Sequence, residues 1–172
     1  MSGTGEQGNH AGGEDAGSHT PTISADGRYV SFVSFASNLV PADTNGRTDV
    51  FLRDWRAGVT RRISYSGAGA QADGDSSFNS ISPDGRYVAF SSAASNLVPA
   101  DTNAHVDVFV RDWVAGTTRR ISVSGTGAQG NDDSPYGTIS SGGRYVAFRS
   151  SASNLIPGDT NGCADIFVRV TG

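Results

Sequence analysis

Apolar residues along this chain fall in short strand-forming clusters separated by polar, glycine-rich stretches. Over 86–92, Tyr, Val and Phe occur at strand density after a Pro-Asp-Gly turn, so 78–82 and 86–92 are predicted to form a hairpin. Residues 107–113 are apolar on both faces around Val108, Phe109 and Val110, which predicts a strand held between two layers. Ala115-Gly116 then turns the chain into 117–124, where Arg119 and Arg120 predict a solvated outer strand with a charged edge. Together these make a unit of four short strands.

The unit recurs without a slip in register. ISADGRYVSF starts at Ile23, ISPDGRYVAF at Ile81 and ISSGGRYVAF at Ile139, 58 residues apart. ASNLVPADTN recurs from Ala36, Ala94 and, as ASNLIPGDTN, from Ala152; DVFLRDW, DVFVRDW and DIFVRV follow. Four strands per period is the pattern of a propeller blade. This places a polar N-terminal segment and loop at 1–22 and a three-blade unit at 23–172, with the third blade lacking its outer strand.

The stretch Ile81 to Phe90, with its variants at Ile23 and Ile139, resembles the repeat of the TolB-like (WD40-like, PD40) β-propellers of bacteria. The resemblance extends from Pro21 to Val170. It implies an all-β propeller, with protein or peptide partners in a bacterial periplasmic or secreted setting. The third copy departs from it: Ser141-Gly142-Gly143 stands where Pro83-Asp84-Gly85 does, and Val170 where Asp112 does.

Three blades cannot form a ring alone, because closed propellers have about four to eight. Two faces apolar enough to mark an interface would be left bare. Two copies would supply six blades, the number in the propeller it resembles, so the expectation is a homodimer closing a six-bladed ring. The other reading is an excised half of a longer six-bladed chain.

Composition narrows the partners. Hydrophobic residues are 36% and charged ones 17%, with 23 Gly, which disfavours a helical bundle. With 13 Lys+Arg against 17 Asp+Glu the net charge is -4, so no basic field exists for nucleic acid. No apolar run is long enough for a membrane-spanning helix, and no membrane insertion is expected. Cys163 is the single cysteine, so no intrachain disulfide forms.

Both long connections of each unit are expected on the same rim, where binding usually resides. One carries Asp43, Asn45 and Asp49, repeated as Asp101, Asn103 and Asp107 and as Asp159, Asn161 and Asp165. Oxygens at positions 1, 3 and 7 with a nearby Gly suit Ca²⁺, though the set falls short of a full EF-hand loop and Ala104 replaces the Gly in the middle copy. The same residues serve as well in Asx turns that fold onto their own backbone. No cofactor is required on this reading.

The other connection carries Gln71, Asp73 and Asp75 with Phe78 nearby, and Gln129, Asn131, Asp132 and Asp133 with Tyr136 nearby. Such polar groups bond sugar hydroxyls or a peptide backbone and the rings stack; they also brace loops. His10 and His19 lie in a six-residue insertion in the N-terminal copy, and His105 stands alone among the repeats. No nucleophile elbow, zinc-protease motif or phosphate loop is present. The chain therefore reads as a non-enzymatic binding or scaffold module, with a glycan-binding lectin, with or without Ca²⁺, and a purely structural or engineered symmetric repeat as alternatives.

Overall fold

The structure is a computed structural model that describes residues 2–9 and 17–171. It contains three antiparallel sheets. Blade 1 holds β1 (Ser18–Ile23), β2 (Tyr29–Ser34), β3 (Asp49–Asp54) and β4 (Val59–Arg62), and blade 2 holds β5 (Ser76–Ile81), β6 (Tyr87–Ser92), β7 (Asp107–Asp112) and β8 (Thr117–Arg120). Blade 3 has three strands, β9 (Tyr136–Ile139), β10 (Tyr145–Ser150) and β11 (Asp165–Val170). Each sheet follows chain order, as short turns between consecutive strands require. The chain is all-β, with propeller blades as expected.

The boundaries agree with the sequence reading to within two residues, with two exceptions. Strand β1 starts at Ser18, so the division drawn between 22 and 23 falls inside a strand. Strand β8 ends at Arg120 instead of 124, because Val123 N bonds back to Ile121 O at 2.8 Å in a three-residue turn. His10 lies outside the described residues, and His19 is an exposed residue of β1.

Each sheet buries both faces where it has neighbours. Val33, Val50, Leu52 and Ile63 of blade 1 meet Ile81, Val88, Phe90 and Phe109 of blade 2 in one core. Ala89, Val108, Val110 and Ile121 of blade 2 meet Ile139, Val146 and Phe148 of blade 3 in the next. Burying each of the larger side chains contributes about 1.5–3 kcal/mol, which makes these junctions the main source of stability. Within each blade a phenylalanine pair repeats: Phe90 and Phe109 have ring centroids 5.8 Å apart, and Phe148 and Phe167 5.6 Å.

The first strands β1, β5 and β9 contact one another across blades, so they line the inner side of the stack while β4 and β8 lie outside. Strands β1 and β5 each carry a bulge, with Thr20 at φ 48° and Phe78 at φ 42°. Opposite the long loops, the turns are tight. Gly85 at φ 75° has no room for a methyl, which would collide with the Tyr29 ring, and Gly143 stands in the same relation to Tyr87.

Candidate functional site

The rim is built from paired loops, the long β2–β3 type of one blade and the entry loop of the next. Register puts a glutamine between them. Gln71 Nε2 donates to Ala42 O at 2.8 Å and Thr44 Oγ1 at 3.2 Å, while its Oε1 accepts from Arg62 Nη1 at 2.8 Å and Thr44 N at 3.2 Å. Gln129 repeats this with Ala100, Thr102 and Arg120 at 2.8–3.1 Å. With donor and acceptor both engaged, each glutamine joins its blade to the one before it.

The other loop residues are engaged too, some across the junction and some within a blade. Asp73 accepts from Ser95 N and Oγ, each at 2.8 Å, and Asp75 accepts from Thr48 N at 2.9 Å. Asn131 Oδ1 accepts from Ser153 N at 2.9 Å and its Nδ2 donates to Ser153 Oγ at 3.1 Å. Asp132 accepts from Asp133 N at 2.7 Å, and Asp133 accepts from Val106 N at 2.9 Å. Phe78 and Tyr136, expected beside the rim, instead lie on inner strands β5 and β9, edge-to-face with centroids 4.4 Å apart.

The Asp/Asn loops contain an Asx turn together with an ion pair. Asn45 Oδ1 accepts from Arg47 N at 3.2 Å, and its Nδ2 donates to Asp49 Oδ2 at 2.9 Å and to Ala72 O at 3.1 Å in the next blade's loop. Arg62 reaches Asp43 at 2.7 Å and Asp49 at 3.2 Å with its side chain fully buried. In blade 2, Arg120 pairs with Asp101 at 3.0 Å and Asp107 at 2.9 Å, and Asn103 repeats the role of Asn45. Burial pushes the Asp49 carboxyl up against the Ser64 hydrogen bond and the Arg62 charge, and burial likewise raises Asp101 beside Arg120.

These arginines were missed as site residues, and their expected place on a solvated edge is corrected. In an extended strand adjacent residues point to opposite faces, so Arg61 is exposed while Arg62 turns inward as a counter-ion. The doubled arginine in both complete copies was the available signal. In blades 1 and 2 the residues do not fit calcium, since an ion would have to displace a buried guanidinium from its carboxylates. In blade 3, Asn161 still bonds Asp165 at 3.0 Å and Cys163 N at 2.8 Å, but no arginine pairs with Asp159 or Asp165 among the described residues.

Two further groupings were not foreseen. His105 Nδ1 lies 3.2 Å from Asp133 Oδ1, and with Asp132 their ligating atoms fall within 4.8 Å of one another on the exposed rim. At the opposite rim, Arg28 pairs with Asp54 at 2.7 Å and Arg86 with Asp112 at 2.6 Å. The hydrogen bond from Arg28 draws the Asp54 carboxyl down to about 2. Burial opposes the same effect at Asp112, but the Arg86 hydrogen bond and backbone donors outweigh it and the pKa is lowered.

The stacked antiparallel sheets, two of four strands and one of three, with short turns at one rim and long braced loops at the other, define a β-propeller. No protein-family model matches the sequence, and no curated protein matches it. Among solved structures the fold is similar to a putative TolB from Agrobacterium tumefaciens, with TM-score 0.57 and 16% identity over 92% of this chain and 47% of that one. It is also similar to a structure from a study of two prolyl endopeptidases, with TM-score 0.52 and 14% identity over 90% of this chain and 20% of that one. The chain thus spans about half the length of the TolB chain. At these identities the likeness establishes the propeller fold, and in the peptidase it covers only a fraction of the protein.

Proposed function

We propose that this chain is a non-enzymatic β-propeller scaffold that self-associates, two copies closing a six-bladed ring whose polar loop rim receives protein or peptide partners. The observation that carries the reading is the contrast between equivalent positions. Ile81 and Ile139 are 7% and 8% exposed at the internal junctions, while Ile23 at the free end is 61% exposed. At the other end, Ile166 and Val168 are 70% and 63% exposed where Val108 and Val110 are 0% and 5%. Apolar rows of this kind mark an interface, and the internal junctions show that blades of this sequence cover such rows. Sedimentation should give a mass near twice 17.7 kDa. A well-folded monomer at micromolar concentration overturns the reading, and a trimer would require nine blades.

Rim binding is tested separately. Retention of peptides on the immobilised chain, lost when rim residues are changed, supports a protein or peptide partner. Signals on a glycan array that EDTA abolishes would favour the lectin reading, and a stable dimer with neither would favour the structural one. For calcium, the fit is confined to the blade 3 loop. A thermal shift on Ca²⁺ addition that survives Asp43→Ala and Asp101→Ala but vanishes in Asp159→Ala would place an ion there; no shift in the parent would make all three loops turns.

A further inference from the structure

Each internal junction contains one inner-strand residue matched to the wall it faces. At the first it is Asn79, whose Nδ2 donates to Thr20 O at 2.7 Å and whose Oδ1 accepts from Thr22 Oγ1 at 3.0 Å and from Ser31 Oγ. A polar amide meets a polar wall. At the second junction the same position is Gly137, where an added methyl would lie 2.8 Å from Val108 Cγ1. There the smallest residue meets a branched apolar wall. The third member of this register series is Pro21, at the free end beside Val30 and Phe32.

The wall awaiting an occupant is at the opposite end. In blade 3 the positions of Thr22, Ser31 and Val50 are taken by Thr138, Ala147 and Ile166, which line an open, mostly apolar groove of about 300 Å³. The geometry points to Pro21 of a second copy seated in this groove, against Ala147 and Ile166. The inference rests on the self-association reading and specifies how the copies meet, head to tail. Proline suits the seat because it brings an apolar ring and no N–H that would be left unpaired there.

Two other broken series point the same way. Tyr29 covers Gly85 and Tyr87 covers Gly143, whereas Tyr145 is 40% exposed and Gly27, at φ 69°, has nothing within 4 Å of an added methyl. Docking as described sets Tyr145 over Gly27 of the second copy. Gln71 and Gln129 brace the preceding blade at Ala42 and Ala100; Gln7 holds the equivalent place, and its brace would be Gly158 and Thr160 of the second copy.

The test is cross-linking in the full chain with Cys163→Ser. Pro21→Cys combined with Ala147→Cys should give a dimer band on non-reducing gels after oxidation or treatment with a short bis-maleimide, whereas each substitution alone should not. Dimers from Pro21→Cys alone would mean ends that meet head to head and would overturn the seat. A dimer in sedimentation with no 21-to-147 link would also overturn it while leaving self-association standing; a monomer in sedimentation would remove both. Ile166→Asp provides the second arm. Its site is 70% exposed in the single chain, so the variant should keep the parent's circular dichroism while dimer dissociation rises at least 100-fold. Unchanged dissociation would sink the proposal.

Discussion

Blade 2 and blade 3 are near copies, yet the equivalent residues are in different physical states. Val108 and Val110 are 0% and 5% exposed in blade 2; Ile166 and Val168 are 70% and 63% exposed in blade 3. The Asp101–Asp107 pair surrounds Arg120, while Asp159 and Asp165 have no arginine among the described residues. Blade 2 has a neighbour on each side and its own fourth strand. Burial and charge balance here therefore belong to junctions and complete sheets, and a blade's own sequence supplies only half of each. The comparison can be broken by making blade 2 resemble blade 3.

The largest effect should come from Arg120→Met. Its side chain is 8% exposed, and removing it leaves Asp107 and Asp101, 0% and 5% exposed, without a counter-ion. Breaking a buried pair in this way costs about 3–5 kcal/mol, which urea unfolding would show as a lower midpoint. Asp159→Asn in blade 3 should leave the midpoint nearly unchanged. If both variants unfold alike, the guanidinium does not brace the loop.

Next in size is Gly85→Ala. The left-handed backbone at φ 75° and the collision with the Tyr29 ring together should cost about 2–4 kcal/mol. Gly116→Ala, at φ 72° with nothing within 4 Å, carries only the backbone part, about 1–2 kcal/mol. The difference between the two midpoints reads how tightly blade 1 packs on blade 2.

How much of this was legible in the sequence follows the same division. Period, strand count and turn positions were readable because each depends on a few consecutive residues, such as Pro83-Asp84-Gly85 before β6. The bracing role of Gln71 and Gln129 was open to reading from their matched register. What escaped were contacts between elements distant in the chain: Arg62 with Asp43, His105 with Asp133, Asn79 with Ser31. Arg28 and Arg86 likewise reach Asp54 and Asp112 from 26 residues away in the chain. Arg111, next to Asp112 in the chain, donates across the first junction to Ser66 O at 3.2 Å and within its own sheet to Thr118 Oγ1 at 2.9 Å.

Acid should separate the blades through these rim pairs. With Asp54 drawn down to about 2 by Arg28, its stabilising contribution is fully present above its ordinary value of 3.8 and is lost as pH falls toward 2. Asp112 contributes with the same sign, and blade 3 contributes nothing because Val170 replaces the acid. Urea midpoints between pH 4 and pH 2 should therefore fall less steeply in Asp54→Asn than in the parent. An equal slope would mean that acid sensitivity arises elsewhere.

The smallest expected effect is the reverse exchange, Val170→Asp, which makes blade 3 like blade 2 at this rim. Arg144 lies over the Tyr145 ring at 5.1 Å, as Arg86 lies over Tyr87 at 5.1 Å, so the guanidinium is already placed to meet a carboxylate. Thr171 N also bonds Arg144 O at 3.0 Å, the backbone link that Trp55 N makes to Arg28 O at 3.3 Å in blade 1. Exposed pairs contribute about 0.2–1 kcal/mol, and the gain at pH 7 should fall in that range and disappear as pH drops toward 2. A gain that persists at low pH would come from removing an exposed valine and not from the pair. No gain at either pH would show that Asp54 and Asp112 need their own blade's fourth strand before an arginine can hold them.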